Sequence, residues 1–501
     1  MADTNPLWGE TAEIPPFPAI TADLRVDVLI IGGGITGITA AYLLKKAGRT
    51  VALIERGRMV MRDSGHTTAH VTCVTDARLP ELVRTFGSDQ ARAAWEAGWA
   101  AIDQIETTVR EEEIACEFTR VPGYLHAPPE SGETERASLR EDAELATQFG
   151  FDAAFLPTVP VMNQPGVRFP NQAKFHPRKY LAGLLPRIPG AGSHVFEQTE
   201  AMEFHDHPLR VVANGISITC DYLVIATHVP LQGKKSTLGA ALLQTKLALY
   251  SSYAIGARLP SGTAPEALFW DTADPYNYLR VDRRADGDYA IFGGADHKTG
   301  QDNDTPRKYR RLEQRLLQIF PQAKIDHRWS GQVVETPDGL PYIGETAARQ
   351  FVATGFAGNG MTFGTLAGIM ARDAVSGVKN PWRELFDPQR KKLRALVDYI
   401  RENKDYPFYL VRDRFAGGEN AAVEQLARGE GAVLRVDGKK VAAYCHEDGH
   451  VTRLSAICTH MGCIVHWNAA EKTWDCPCHG SRFAPNGEVL GGPAETPLNA
   501  P

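Results

Sequence analysis

VLIIGGGITG, residues 28–37, runs four apolar residues into three consecutive glycines and reaches a fourth glycine at position 37. The apolar run reads as a buried strand. "ITGITAAYLLKKAG" (35–48) reads as a helix closed by Gly48, and "TVALIE" (50–55) as a second strand, so the stretch predicts a βαβ unit. Gly32, Gly34 and Gly37 then fall at the strand-to-helix turn, with Glu55 at the tip of the second strand. Glycines at these positions let the backbone approach a pyrophosphate, which sits on the unpaired N–H groups of a helix N-terminus. An acid placed like Glu55 accepts hydrogen bonds from a ribose diol. The pattern is a dinucleotide cradle; NAD and FAD share it, and the fingerprint alone does not choose between them.

Working outward, the chain has 501 residues, enough for about three domains at ~150 residues each. A hydrophobic content of 43%, a charged content of 23% and a net charge of −6 are ordinary for a globular protein and offer no basic patch for nucleic acid. Residues 28–44 carry no charge, but they are short for a bilayer span and follow Asp3, Glu10, Glu13, Asp23 and Asp27 against a single Arg25. That flank lacks the basic region of a secretory signal, so the expectation is a cytoplasmic protein with no membrane span. Cys73, Cys116, Cys220 and Cys445 are scattered singly, which suits small buried hydrophobes. The remaining four cysteines lie between 458 and 478, and in a reducing compartment such a cluster points to metal.

From Asp89 to Ile114, Trp95, Trp99, Ile102, Ile105 and Val109 recur at spacings of three and four, giving one apolar face on a long helix. Asn214-Gly215 lies between two alternating runs, and Asp286-Gly287 repeats the scheme, so both read as hairpins. These antiparallel pieces predict a sheet-based layer inserted between parts of the nucleotide-binding domain. "FGTLAGIMARDAVSG" (363–377) reads as a helix ending at Gly377, followed by a charged helical connector. From about residue 415, short β runs with turns at Asp437-Gly438 and Asp448-Gly449 predict a small separate β domain.

"DSGHTTAHVT" (63–72), "DGLPYIG" (338–344) and "TGFAGNGMTFGTLAG" (354–368) resemble the FAD-contacting segments of the D-amino acid oxidase-like superfamily, the glycine oxidase or sarcosine oxidase group. The likeness covers roughly residues 5–378 and implies FAD in the cradle. By that resemblance Ser64, Gly65, Thr67 and Thr68 lie along the ribityl chain and pyrophosphate, and Gly360, Met361 and Thr362 against the isoalloxazine. Arg56, beside Glu55, and Thr227 join the FAD-contacting set; Thr227 stands in "YLVIATHVP", where His228 replaces the glycine of the usual Ala-Thr-Gly.

"CTHMGC" (458–463) and "CPCHGS" (476–481) each contribute one Cys-His pair, Cys458 with His460 and Cys476 with His479, plus one extra cysteine, Cys463 and Cys478. Zinc accepts two Cys and two His, but zinc-finger pairs place like ligands together and zinc would leave the extra cysteines unexplained. One Cys and one His per loop suits a [2Fe–2S] centre with two thiolates on one iron and two imidazoles on the other. From about Arg412 to the end the chain resembles the Rieske family. That resemblance implies Cys458 and Cys476 on one iron, His460 and His479 on the other, and a disulfide between Cys463 and Cys478. Ser481 keeps a hydroxyl that hydrogen-bonds a cluster sulfur in respiratory-type relatives, while Phe483 stands where these often have tyrosine, so a lower potential than theirs is expected.

The fold expected is therefore an α/β FAD-binding Rossmann-like domain (1–80, 171–240 and 330–378) with an inserted α+β substrate domain (81–170 and 241–329). A helical connector (379–411) and a small all-β Rieske domain (412–501) follow. Flavin takes electrons in pairs and releases them singly, which suits a one-electron cluster on the same chain. The resemblance implies dehydrogenation of a small amine or amino acid, then transfer to the cluster and to an external acceptor such as a ferredoxin or quinone. Tyr278 and Arg280 in "YNYLR", and His70, are the candidate substrate-side residues, the arginine as partner for a carboxylate. Two other enzymatic readings remain. One is an NAD(P)H-driven reductase of a Rieske ferredoxin, a class that normally carries a second GxGxxG; the other is an O2-using amine oxidase with a structural cluster. A redox-sensing scaffold is disfavoured, since no DNA-binding element is found.

Overall fold

The strands Leu24–Ile31 and Val51–Ile54 pair in parallel, Val28 opposite Val51, and the helix Ile35–Lys46 crosses between them. Every residue of that helix from Ile35 to Leu44 is buried, so it is held by packing on both sides, and Gly48 ends it at φ +80°. The computed structural model describes residues 6–231, 243–390, 408–409, 412–413 and 425–501.

The strands Ile216–Ile225 and Gln350–Thr354 extend the sheet in parallel on one side and His194–Phe196 on the other; Tyr342–Ala347 closes it antiparallel. The hairpin at Asn214-Gly215 forms as expected, with both residues at positive φ (50° and 81°). The helix Gly360–Ser376 lies on Ile35–Lys46, and a Cβ on Gly364 would come within 2.6 Å of Ile35, so a glycine sets the approach.

A second, nine-stranded sheet runs in the order Lys324–Glu335, Ala248–Leu259, Gly287–Lys298, Tyr278–Arg284, Ala267–Asp271, Thr119–His126, Gly166–Lys174, His70–Val71, with Ala154–Leu156 beside Gly166–Lys174. Two details differ from the sequence expectation. Arg284 pairs with Gly287, so the hairpin loop is Ala285-Asp286, one residue earlier than the Asp-Gly signal placed it. The divisions at 171 and 330 fall inside Gly166–Lys174 and Lys324–Glu335, because these strands run continuously past the point where the chain leaves the other sheet.

The helix Ser88–Glu111 buries Trp95, Ile102 and Ile105 in the main apolar core, with Trp99 and Val109 packed at its border. The connector expected over 379–411 lies outside the described residues at 391–407 and 410–411; its described beginning holds the short helix Arg383–Phe386. The C-terminal region, described again from residue 425, is two small antiparallel sheets, one from Gly431 to Ser455 and one from His466 to Gly491. Its core gathers Trp474 and Phe483 around Cys458, Cys463 and Cys476. Among the described residues no helix is long and apolar enough to cross a membrane.

Candidate functional site

A cavity of about 440 Å³ begins at the strand-to-helix turn and runs between the two large sheets. At its head, Gly32 sits at φ +116° and donates its N–H to Ile54 O, and a Cβ there would lie 2.3 Å from Ala226 O. A Cβ on Gly37 would lie 1.9 Å from Gly32 O, so no side chain fits between helix and turn. Both Glu55 oxygens accept backbone N–H groups, from Gly33 at 2.8 Å and Gly57 at 2.9 Å, while the side chain lines the cavity. Ser64 Oγ accepts the Ile35 N–H at 2.9 Å, which places a hydroxyl at the helix N-terminus.

Of the residues expected to contact FAD, Gly32, Gly34, Glu55, Arg56, Ser64, Thr67, Thr68, Thr227, Gly360 and Met361 line this one cavity. Gly37, Gly65 and Thr362 stand behind the wall. A Cβ on Gly65 would meet Val60 O at 2.1 Å, and Thr362 Oγ1 donates to Thr72 O at 2.9 Å, so these residues position the wall. His228 holds φ +66°, the left-handed backbone that the usual glycine would take, and lines the cavity itself.

Arg280 corrects an expectation. Its guanidinium is 1% exposed, donates through Nη1 to Thr68 O, Ala69 O and Phe175 O at 3.0–3.2 Å, and through Nε to Asp282 at 2.8 Å. It clamps the Thr67–His70 turn from behind and does not face the cavity, so it is no partner for a substrate carboxylate. Tyr278 and His70 do line the cavity, edge to face with ring centroids 5.5 Å apart. Burial pushes His70 down to about 3, leaving a neutral imidazole.

At the other end of the chain, Cys463 and Cys478 form a disulfide that ties the two Cys-His loops together. Cys458 and Cys476 remain free and buried, and a hydrogen bond between them holds the Cys458 thiol below its ordinary value. The His460 and His479 rings lie with centroids 5.0 Å apart, and burial pushes both down to about 4, the neutral form that binds metal. Two free thiols and two neutral imidazoles on disulfide-joined loops fit the donor set of a two-iron centre. Exposed Ile457 and Met461 stand beside these ligands in the sequence.

Residues 27–374 match the family described as FAD dependent oxidoreductase, DAO, and residues 419–501 match the Rieske [2Fe-2S] domain. The chain belongs to the DAO family of FAD-dependent oxidoreductases. This DAO-type chain is 33% identical to a putative Rieske 2Fe-2S iron-sulfur protein, YhfW, of Bacillus subtilis, over 98% of the chain and 96% of that protein. It is 25% identical to gamma-glutamylputrescine oxidoreductase of Escherichia coli, over 72% of the chain and 85% of that protein. Glycine oxidase from Geobacillus kaustophilus shares its fold at a TM-score of 0.61 and 19% identity, over 74% of the chain and 99% of that structure. FAD and a [2Fe–2S] cluster are thus the cofactors of this DAO-type enzyme.

What sequence reading missed is the meeting of the two halves. Leu490, Gly491, Gly492 and Ala494 of the Rieske region line the same cavity as the glycine cradle, and Arg56 Nη2 donates to Leu490 O at 3.2 Å. Gln332, on the cavity wall, donates through Nε2 to Gly480 O at 2.8 Å. Gln301 Nε2 donates to Pro477 O at 2.9 Å, and the His466 ring nitrogen meets Gly300 O at 2.7 Å. A Cβ on Gly480 would stand 2.5 Å from Leu249, so the fit is close. No local pattern marks these residues; their partners lie more than a hundred positions away.

Proposed function

We propose that this enzyme dehydrogenates a small amine or amino acid and delivers the electrons through its own Rieske domain to an external carrier, such as a ferredoxin or quinone. When bound, FAD supplies hydride acceptance from a carbon next to nitrogen and release of electrons one at a time, and the [2Fe–2S] cluster carries them singly. The substrate loses a hydride from carbon and a proton from nitrogen and leaves as an imine.

The observation that carries this reading is Gln332. Its side chain belongs to the wall of the FAD cavity and also holds the carbonyl of Gly480, the residue after the cluster ligand candidate His479. Thr299 Oγ1 accepts a second hydrogen bond from the same amide nitrogen at 3.2 Å, which fixes its orientation. Trp270, Ala254 and Val74 line the cavity with apolar surface that excludes water. Cys458, Cys476, His460 and His479 would hold the cluster, and exposed Met461 and Ile457 offer the acceptor an apolar footing beside it.

The test is anaerobic. Amines and amino acids are screened for flavin bleaching, and samples are frozen for electron paramagnetic resonance. The reading expects bleaching followed by a reduced-cluster signal. Stoichiometric peroxide in air with the cluster still oxidised would overturn it, as would rapid bleaching by NADH alone.

A further inference from the structure

The end of the cavity away from the cradle is walled by aromatic rings and acids. Arg56, Arg58 and Arg62 line the cavity on the segment following Glu55, and Arg58 pairs there with Glu197 at 3.2 Å. Arg280 is bound to three carbonyls and Asp282, and His70 is neutral. The far wall is Trp270, Tyr276, Tyr278 and Ser252, and its charged groups are Asp76 and Asp296.

The two acids are not equivalent. Asp76 is satisfied, accepting Gly358 N–H at 2.7 Å and Tyr276 Oη at 3.3 Å. Asp296 is satisfied only in part: its carboxyl meets the Ser252 hydroxyl, while its Oδ1 is shielded from solvent and accepts no hydrogen bond, although the residue lines the cavity. Gly294 at φ +134° and Ala295 at φ +58° turn the strand just before it. Burial raises the Asp296 carboxyl, Asp76 nearby adds to the rise, the Ser252 hydroxyl offsets part of it, and the group comes to about 6. At neutral pH an anion held by a single hydroxyl, with one oxygen left without a donor, therefore stands in the wall of an aromatic-lined cavity. A buried acceptor without a donor is costly, and a cation that enters removes the cost while its N–H groups meet the ring faces.

We propose that this end is a subsite for an ammonium group, held by Asp296 within the wall of Trp270, Tyr276 and Tyr278, and that the substrate is an amine with no carboxylate on the carbon bearing its reacting nitrogen. The inference rests on the dehydrogenase reading above and narrows it. Among the described residues the arginines that line the cavity lie on the segment after Glu55, so an α-carboxylate at this end would lie against Asp296 and Asp76 and is rejected by like charge.

The test compares matched pairs on the anaerobic holoenzyme: phenethylamine with phenylalanine, and isoamylamine with leucine. Dissociation constants are read from the shift of the flavin absorption band and from the rise in melting temperature. Each amine is expected to bind about tenfold or more tighter than its amino acid. Asp296→Asn, with flavin content and ligand-free melting temperature checked against the parent, is expected to bring the amine down to the level of the amino acid. Equal or tighter binding of the amino acids overturns the subsite, as does a preference that survives in Asp296→Asn or no binding by any of the four. The parent comparison stands alone if the variant fails to fold. Bleaching by amino acids and not amines would sink the subsite and keep the dehydrogenase; bleaching by neither class across the wider screen would sink both.

Discussion

Gln332 Nε2 donates a hydrogen bond to Gly480 O at 2.8 Å, across a separation of 148 residues. One partner lines the cavity of the nucleotide-binding half, and the other sits in the loop carrying Cys476 and His479. Gly491 approaches the oxygen of the same amide, since a Cβ there would stand 3.2 Å from Gln332 Oε1. One side chain is thus held by both halves of the molecule.

Replacing Gln332 with leucine keeps most of the volume and removes the amide. The buried Gly480 carbonyl loses that donor, at a cost of about 1–3 kcal/mol. Substrate-driven bleaching of the flavin should stay within about twofold of the parent, while the rise of the cluster signal slows by roughly tenfold, the loss expected from about 1.4 kcal/mol of docking. Rapid-freeze resonance and stopped-flow absorbance on the same samples measure both. Equal slowing of the two would mean the side chain serves the cavity alone.

Gly37→Ala puts a methyl group 1.9 Å from Gly32 O. Neither backbone can retreat, because Gly32 is pinned against Ala226, so the cost is about 3 kcal/mol or more. The purified variant should lose most of its yellow colour, read as flavin per protein from the absorption spectrum. Its iron content should stay near that of the parent, because the Rieske region folds around a separate core.

Ser481 is fully buried; its Oγ accepts the Ala494 N–H at 3.1 Å, which leaves the hydroxyl proton for the Cys458 sulfur. A donor to sulfur stabilises the reduced, more negative cluster. Ser481→Ala should therefore lower the reduction potential by roughly 40 mV, the one-electron equivalent of about 1 kcal/mol. A redox titration followed by resonance reads it; an unchanged or raised potential would place the hydroxyl proton elsewhere.

Asp282 accepts from Arg280 at 2.8 Å and from Lys174 at 2.9 Å, all three side chains being at least nine-tenths buried. Burial by itself would raise the Asp282 carboxyl, but the two cations outweigh it and hold it well below the ordinary carboxylate range. The folded pKa is below the unfolded one, so this contribution to stability is fully present above about pH 4–5 and is lost as pH falls through the folded value. Asp282→Asn takes the one carboxylate from Arg280 and leaves Lys174 with Glu266 alone at 2.9 Å, at a cost of about 3 kcal/mol near neutral pH. Melting curves of parent and variant against pH should converge on acidification.

Two parts of this protein were legible in the sequence because each is made by neighbours in the chain. The glycine turn is one: Gly32, Gly34 and Gly37 act on each other within one strand-turn-helix, so their spacing carries their geometry. The Cys-His loops are the other, where spacing brings one Cys and one His from each loop, and the disulfide that the Rieske resemblance implied is present. Hairpins at Asn-Gly likewise follow from local backbone preference. Arg280 shows where that legibility stops. Its charge suggested a carboxylate partner, but three carbonyls from distant segments and one buried aspartate claim it.

By itself, then, the sequence carried the glycine turn and the two Cys-His loops, and its resemblance to two families implied FAD and a [2Fe–2S] cluster. Tertiary structure alone decided that the Rieske loop rests on the wall of the flavin cavity, that Arg280 turns inward, and that Asp296 lines the cavity with one oxygen left without a donor. The reason is range. Spacing reports interactions that close within a turn or a loop, whereas the direction a side chain takes from a buried strand depends on which strands, a hundred residues or more away, compete for the same space.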